Sequence, residues 1–322
     1  MHRLILALIL ALAGPAMAQP APEAPIIVTL LGTGSPPPVM DRFGPATLVQ
    51  AGGVTLLFDA GRGVTQRLWA RRIPLGRVDA LFLSHLHSDH VVGLPDLFLT
   101  GWLTSPFGQR PGPLRVLGPP GTARMTQHLR QAFDWDIETR IADQALPRAA
   151  AEFNTSEFTA TAGRDTGAVV WEQGGVRVTA FEVDHGDLIH PAFGFRVDHA
   201  GHSVVISGDT RPSAALARHA QGVDLLVHQV AAARPELLAR SESWQDILNH
   251  HTTPEQAGEI FARAAPKLAV YYHLVLLNDL VVPPITLEDL VRRTRTTYAG
   301  PLVVGADLMR FGIGPEGVRE LR

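Results

Sequence analysis

The chain has 322 residues, 46% of them hydrophobic and 18% charged, with a formal net charge of −3 and no cysteine. That length is enough to bury a large core, as one large domain or two small ones. The missing cysteines exclude disulfides, thiolate metal ligands and anchoring through a lipidated N-terminal cysteine, and the mildly acidic overall balance gives no support for a nucleic-acid enzyme.

The N-terminus opens with Met1-His2-Arg3, continues with an apolar run from Leu4 to Leu12 and reaches Ala16-Met17-Ala18 before Gln19-Pro20. This is the layout of a secretory signal peptide at residues 1–18, too short to span a bilayer comfortably. The expectation is export to the periplasm or beyond, leaving 304 of the 322 residues and no membrane span after cleavage. A Pro/Ala-rich leader covers residues 19–25. The rest, 26–322, reads as one domain without a polar linker.

Ile26 to Leu31 predicts a strand running into Gly32-Thr33-Gly34-Ser35 and three prolines, where glycine permits a tight turn and proline forbids a helix. Ala46–Val49 and Val54–Phe58 predict a hairpin across Gly52-Gly53. It ends at Asp59, read either as a turn cap or as a carboxylate that orients a metal-bound histidine. A helix follows from Val64 to Arg72; Arg67 and Arg71, four apart, suit its solvated face.

Val78 to Leu83 is an apolar strand leading directly into His85-Leu86-His87-Ser88-Asp89-His90, which places four metal-binding side chains within six residues. Side chains two apart on an extended chain point the same way, so His85 and His87 can share one ion. A helix beginning at Asp89 would redirect Asp89 and His90 toward a second. Neutral imidazoles with carboxylates are the donors that zinc and similar ions select.

Downstream, a strand at Leu114–Leu117 and a helix at Ala123–Phe133 are followed by residues 134–170, whose weak periodicity predicts loops or a small insertion over the site. Later strands repeatedly end in Asp or His: Gly175 to Val183 before His185, Ser203 to Gly208 before Asp209, Asp224 to His228, and Lys267 to His273. A helix spans Pro254–Arg263. His2, His128, His199, His202 and His219 lack such context and read as surface residues.

His85-x-His87-x-Asp89-His90 after a hydrophobic strand resembles the signature of the metallo-β-lactamase superfamily. His185-Gly186, Gly208-Asp209-Thr210 and His273 resemble its later motifs, and the similarity runs from about Ile26 to the C-terminus. Leu31-Gly32-Thr33-Gly34-Ser35, His190-Pro191-Ala192-Phe193-Gly194-Phe195 and His251-Thr252-Thr253-Pro254-Glu255 are similar to the ribonuclease Z-like and arylsulfatase-like branch. The resemblance implies an α/β fold, a four-layer αββα sandwich, which also suits strands in two groups each followed by helices.

On this reading His85, His87 and His185 hold one Zn²⁺, Asp89, His90 and His273 a second, and Asp209 bridges them. The expected chemistry is hydrolysis by a metal-bound hydroxide, with Asp89 orienting the water and taking its proton. His251 matches the family element that carries a proposed proton donor; its neighbour His250 is not separated from it by sequence. Where ribonuclease Z relatives place a glutamate after the histidine matching His228, this chain has Gln229. An amide can orient an imidazole but supplies no charge, which weighs against transfer-RNA cleavage.

The expectation is an exported dinuclear zinc hydrolase of a small-molecule ester, sulfate or phosphate esters being favoured by the arylsulfatase-like similarity. Other divalent transition metals suit the same donors. Lactonase or β-lactamase activity, a ribonuclease Z-like phosphodiesterase and a weakly catalytic metal-binding protein are the competing readings. A di-iron redox protein would need an electron-carrying domain, and none is visible in this length. A homo-oligomer is left open.

Overall fold

The computed structural model describes residues 24–159 and 166–322. The expected signal peptide and residues 19–23 of the leader lie outside the described residues. The strands, in chain order, are β1 (Ile26–Gly32), β2 (Ala46–Ala51), β3 (Val54–Phe58), β4 (Ala80–Phe82), β5 (Leu114–Gly118), β6 (Phe153–Glu157), β7 (Ala168–Gln173), β8 (Val176–Val183), β9 (Ala192–His199), β10 (His202–Ile206), β11 (Leu225–Ala232), β12 (Leu268–Leu276), β13 (Leu302–Val304), β14 (Arg310–Gly314) and β15 (Gly317–Leu321). They form an eight-stranded sheet in the order β15-β14-β1-β2-β3-β4-β5-β6 and a seven-stranded sheet in the order β13-β12-β11-β10-β9-β8-β7. Each sheet is antiparallel on one side and parallel on the other, the change falling after β3 in the first and after β10 in the second.

Strand periodicity builds the layers. Leu56 and Phe58 of β3, Ala80 and Phe82 of β4, Leu225 and Val227 of β11, and Val270 and Tyr272 of β12 face the shared core between the sheets. Their alternates Leu57 and Leu81 pack under the helices of the first sheet, Leu226 and Tyr271 under those of the second. A strand buried on both faces reads as continuously apolar, which is why β4 and the first three residues of β11, Leu225 to Val227, show no alternation in sequence. In the shared core Phe58 stacks on Phe82 at 5.0 Å and meets Phe195 at 5.2 Å, each pair contributing about 1 kcal/mol beyond its burial. Helices Val64–Ala70, Leu94–Trp102 and Thr122–Ala132 cover one side, and Ala214–His219, Pro254–Ala264 and Leu287–Thr294 the other. This is the αββα sandwich expected from sequence.

Two sequence expectations are corrected. Residues 134–157 are not loops over the site: they form the helix Asp134–Gln144, a short 3-10 turn at Arg148–Ala151 and β6. Ile137, Leu146 and Ala150 bury themselves among the helices of the first sheet, and the Trp102 indole donates to the Pro147 carbonyl at 3.0 Å. The helix has Ile137 as its one fully buried residue, so its sequence carries little amphipathic signal. His199, His202 and His219 are half-buried rather than on the surface; His202 lies 3.4 Å from Asp224 and His219 stacks on Phe181 at 4.3 Å.

The strand directions also fix where the site lies. β1, β3 and β4 run one way in their sheet and β8, β10, β11 and β12 run one way in theirs. Their C-terminal ends meet on one rim, where the sheets are tied by Phe193 N donating to Ser84 O at 3.0 Å and Leu274 N donating to Thr33 O at 2.9 Å.

Candidate metal centre

Residues from four strands converge on that rim, just past the ends of β4, β8 and β10 and, for His273, from within β12. The helix Ser88–Val91 starts immediately after His87, so the chain turns within the motif. His87 remains on extended backbone while Asp89 and His90 swing into the first helical turn. His85 Nε2 lies 2.9 Å from His87 Nδ1, and His185 Nε2, arriving from the end of β8, lies 3.3 Å from the same atom. Across the cluster, Asp209 Oδ2 lies 3.0 Å from His273 Nε2, 3.3 Å from His90 Nε2 and 3.7 Å from His185 Nε2. Asp89 Oδ2 stands 3.7 Å from His90 Nε2 and 3.8 Å from His273 Nε2. His85, His90, His185, Asp209 and His273 are buried, while His87 is exposed and opens the cluster to solvent.

The donors fit a divalent cation. His90 Nε2 and Asp209 Oδ1 are buried with no hydrogen-bond partner, a costly arrangement unless a cation satisfies them. Donor atoms of His85, His87 and His185 lie within 4.8 Å of one another, as do those of Asp89, His90 and His273, and those of His85, His90 and Asp209. Burial lowers the pKa of His85 (well below the usual histidine value), His87 and His185, which favours the neutral imidazole a metal requires. Burial opposes charge on His90 and His273 too, but Asp209, and for His90 also Asp59, outweigh it and raise both. Burial would raise Asp209, yet His273 and His90 hold it well below the carboxylate range.

The second nitrogen of each deep histidine is fixed by a protein group. His90 Nδ1 donates to Asp59 Oδ2 at 2.8 Å, and Asp59 also accepts from the Ser84 amide and hydroxyl, each at 2.8 Å. Asp59 therefore orients the His90 ring while also tying the turn after β3 to Ser84. His185 Nδ1 donates to the His250 carbonyl at 2.9 Å and His273 Nδ1 to the Gly34 carbonyl at 2.7 Å. These contacts select Nε2 as the inward-facing atom. Ser84, whose hydroxyl also lies 3.0 Å from His85 Nδ1, and the two carbonyls were missed by sequence reasoning. Ser84 carries a signal in its place before His85; a carbonyl has none.

His251 lies beside the cluster, its Nδ1 4.0 Å from Asp209 Oδ2 and 3.0 Å from Gln229 Oε1. Gln229 Nε2 donates to the Thr210 carbonyl at 2.8 Å. Burial lowers the His251 pKa to about 3. The His250 ring is offset, 6.2 Å from that of His185. His228 stands apart from the donors: it is wholly buried, its ring faces Phe261 at 5.4 Å, its Nδ1 meets the Gln229 carbonyl, and burial lowers its pKa to about 4.

Imidazoles and carboxylates gathered on a sheet rim, with one side open, are the machinery of a metal-dependent hydrolase of ester bonds. Comparison with known proteins agrees: the beta-lactamase superfamily domain matches residues 55–274. Ribonuclease Z of Mycobacterium marinum (strain ATCC BAA-535 / M) is 38% identical over 293 residues, 89% of this chain and 99% of that protein. Ribonuclease Z of Mycobacterium avium (strain 104) is 42% identical over 252 residues, 78% of this chain and 86% of that protein. Among solved structures, the metallo-beta-lactamase fold protein YhfI from Bacillus subtilis aligns with a TM-score of 0.67 at 18% identity, covering 89% of this chain and 98% of that one. The short form of human tRNase Z aligns at 0.63 and 21%, covering 88% and 98%. The chain belongs to the metallo-β-lactamase superfamily and is ribonuclease Z-like within it. Among the described residues no helix is long and apolar enough to cross a membrane.

Proposed function

We propose that this protein is an exported phosphodiesterase working with two zinc ions. The observation that carries the reading is that Asp209 stands between two groups of donors, His85, His87 and His185 on one side and Asp89, His90 and His273 on the other. Two adjoining groups of donors, each able to hold a cation, suit a phosphodiester substrate, and the curated relatives, matched over nearly their whole length, carry the name ribonuclease Z. Sulfate esters, favoured by the sequence resemblance, have no counterpart among these relatives. When bound, the cations supply Lewis-acid polarisation and acidify water.

The protein's own groups do the rest. Asp89, the least buried of the carboxylates here, orients the attacking water and takes its proton. Because the Gln229 amide nitrogen is committed to Thr210, its oxygen faces His251, so His251 carries its proton on Nδ1 and turns Nε2 away from the amide. A neutral amide beside a buried imidazole leaves His251 uncharged at neutral pH, a poor donor to a leaving alkoxide. The favoured substrates are therefore phosphodiesters whose leaving group departs as a stable anion, such as aryl esters. An RNA phosphodiester is the second reading, resting on the ribonuclease Z relatives.

The test is zinc content of the purified mature protein together with turnover of bis(p-nitrophenyl) phosphate, p-nitrophenyl phosphate, p-nitrophenyl sulfate, a lactone, a cephalosporin and a precursor transfer RNA. Two zinc ions per chain and chelator-sensitive turnover of the diester first among these is the expected result. Preference for the sulfate or the lactone would overturn the phosphodiester reading. Fractionation of the producing cells tests export, which cytoplasmic retention of the full-length chain would overturn.

A further inference from the structure

The Asp307 carboxylate lies in the loop between β13 and β14, outside the donor set, and is almost wholly buried, with 4% of its side chain exposed. It accepts four hydrogen bonds, and a fifth contact, from Arg67 Nη2, is an ion pair. Oδ1 takes the Thr33 amide at 2.9 Å and the Thr33 hydroxyl at 2.7 Å. Oδ2 takes the Phe43 amide at 2.8 Å and Arg67 through Nε at 3.0 Å and Nη2 at 2.9 Å. Arg42 Nη1 braces the same corner, donating to the Thr33 hydroxyl and the Gly305 carbonyl, each at 2.7 Å.

What this corner holds is the backbone that aims His273. Thr33 O accepts from Leu274 N at 2.9 Å, and Gly34 O accepts from His273 Nδ1 at 2.7 Å. Gly34 is in turn tied by its own amide to Phe43 O at 2.7 Å, and a Cβ on Gly34 would stand 2.6 Å from the Arg42 carbonyl. His273 itself has φ 41, the left-handed region that a non-glycine residue keeps only where its surroundings over-determine it. A strained ligand stays in place only while both its neighbours and its Nδ1 acceptor are fixed, and both contacts pass through residues 33 and 34.

We propose that Asp307 is a positioning residue for the metal centre: by clamping Thr33 and Phe43 it holds the Gly34 carbonyl that sets the direction of His273 Nε2. This rests on the site reading above in which His273 is a ligand. Its loss should weaken metal binding rather than the fold as a whole. The experiment is zinc affinity, by competition with a chromogenic chelator, for the parent, His273→Ala, Asp307→Ala, Asp307→Asn and Thr33→Val, with melting of each metal-free protein. Asp307→Ala should weaken the site that His273→Ala weakens, by about tenfold as for other partners of metal ligands. Asp307→Asn, which keeps the Oδ1 acceptor for Thr33, and Thr33→Val should fall between it and the parent.

If His273→Ala loses affinity and Asp307→Ala does not, the proposal is overturned while the site reading stands. If His273→Ala loses none, the site reading fails and takes the proposal with it. A lower metal-free melting temperature with unchanged zinc affinity would make Asp307 a stabilising residue only, and also overturns the proposal. Should Asp307→Ala fail to fold, Thr33→Val, close to the native volume, decides by the same criterion.

Discussion

Gln229 accepts a hydrogen bond from His251 Nδ1 through Oε1 at 3.0 Å while its amide nitrogen donates to the Thr210 carbonyl at 2.8 Å. The two contacts fix both the orientation of the amide and the tautomer of the imidazole. They also tie the His251 loop to the end of β10, next to Asp209, with Thr252 Oγ1 donating to the same Thr210 carbonyl at 2.7 Å.

Replacing Gln229 by Glu puts a carboxylate beside His251, whose pKa burial has lowered to about 3. A neighbouring negative charge favours the imidazolium, so the shift is upward. Gln229→Glu should raise kcat on alkyl phosphodiesters more than on p-nitrophenyl esters, whose leaving group needs no proton. The lost donor to Thr210 should cost about 1 kcal/mol of stability. Equal effects on both leaving groups would show that His251 does not serve the leaving group.

Asp209 is the carboxylate that both groups of donors approach, within 3.0 Å of His273 and 3.3 Å of His90. Asp209→Ala should reduce bound zinc and lower turnover by about a thousandfold, the several kcal/mol expected when bound-cation chemistry is lost. Zinc per chain and kcat/KM on one diester check this. Full activity with full metal would remove Asp209 from the site.

Asp59 offers a milder perturbation. Asn at this position tolerates its positive φ of 59 and keeps an acceptor for His90 Nδ1, but removes the charge. Asp59→Asn should weaken zinc binding by about 10- to 100-fold with the fold retained. Chelator competition alongside melting of the metal-free protein measures both, and unchanged affinity would reduce Asp59 to a cap on the turn after β3.

Away from the site, Asp224 makes acid stability predictable. Burial raises its carboxyl pKa, but Lys267 Nζ at 2.7 Å and the Ser203 amide at 2.9 Å more than offset this and hold it below the usual range. A depressed folded pKa gives stability that is present above the unfolded value, about 4, and is lost as pH falls through the folded one. The parent should therefore melt higher than Asp224→Asn at pH 5–7, with the gap closing below about pH 4. A gap that persists unchanged at pH 3 would rule out the carboxylate charge as its source.

The donor set was legible because it is written locally. His85, His87, Asp89 and His90 lie within one strand-to-helix turn, and β8, β10 and β12 each lead to an Asp or His at the rim. An apolar strand with a period of two is recognisable in any window of a few residues, so the two groups of strands and the layered fold could be read with it. Partnerships between distant segments could not. The chain is silent on the Gly34 carbonyl that meets His273 239 positions later, on the clamp between Thr33 and Asp307 274 positions apart, and on β14 returning beside β1 in the first sheet. These follow from closing the sandwich, which brings strand ends into register only when the shared core is packed. The backbone atoms that aim each ligand have no side-chain identity for the sequence to show. The sequence by itself determined which side chains can hold metal; the tertiary structure decided which nitrogen of each faces inward, because that depends on the acceptor folding places at the other one.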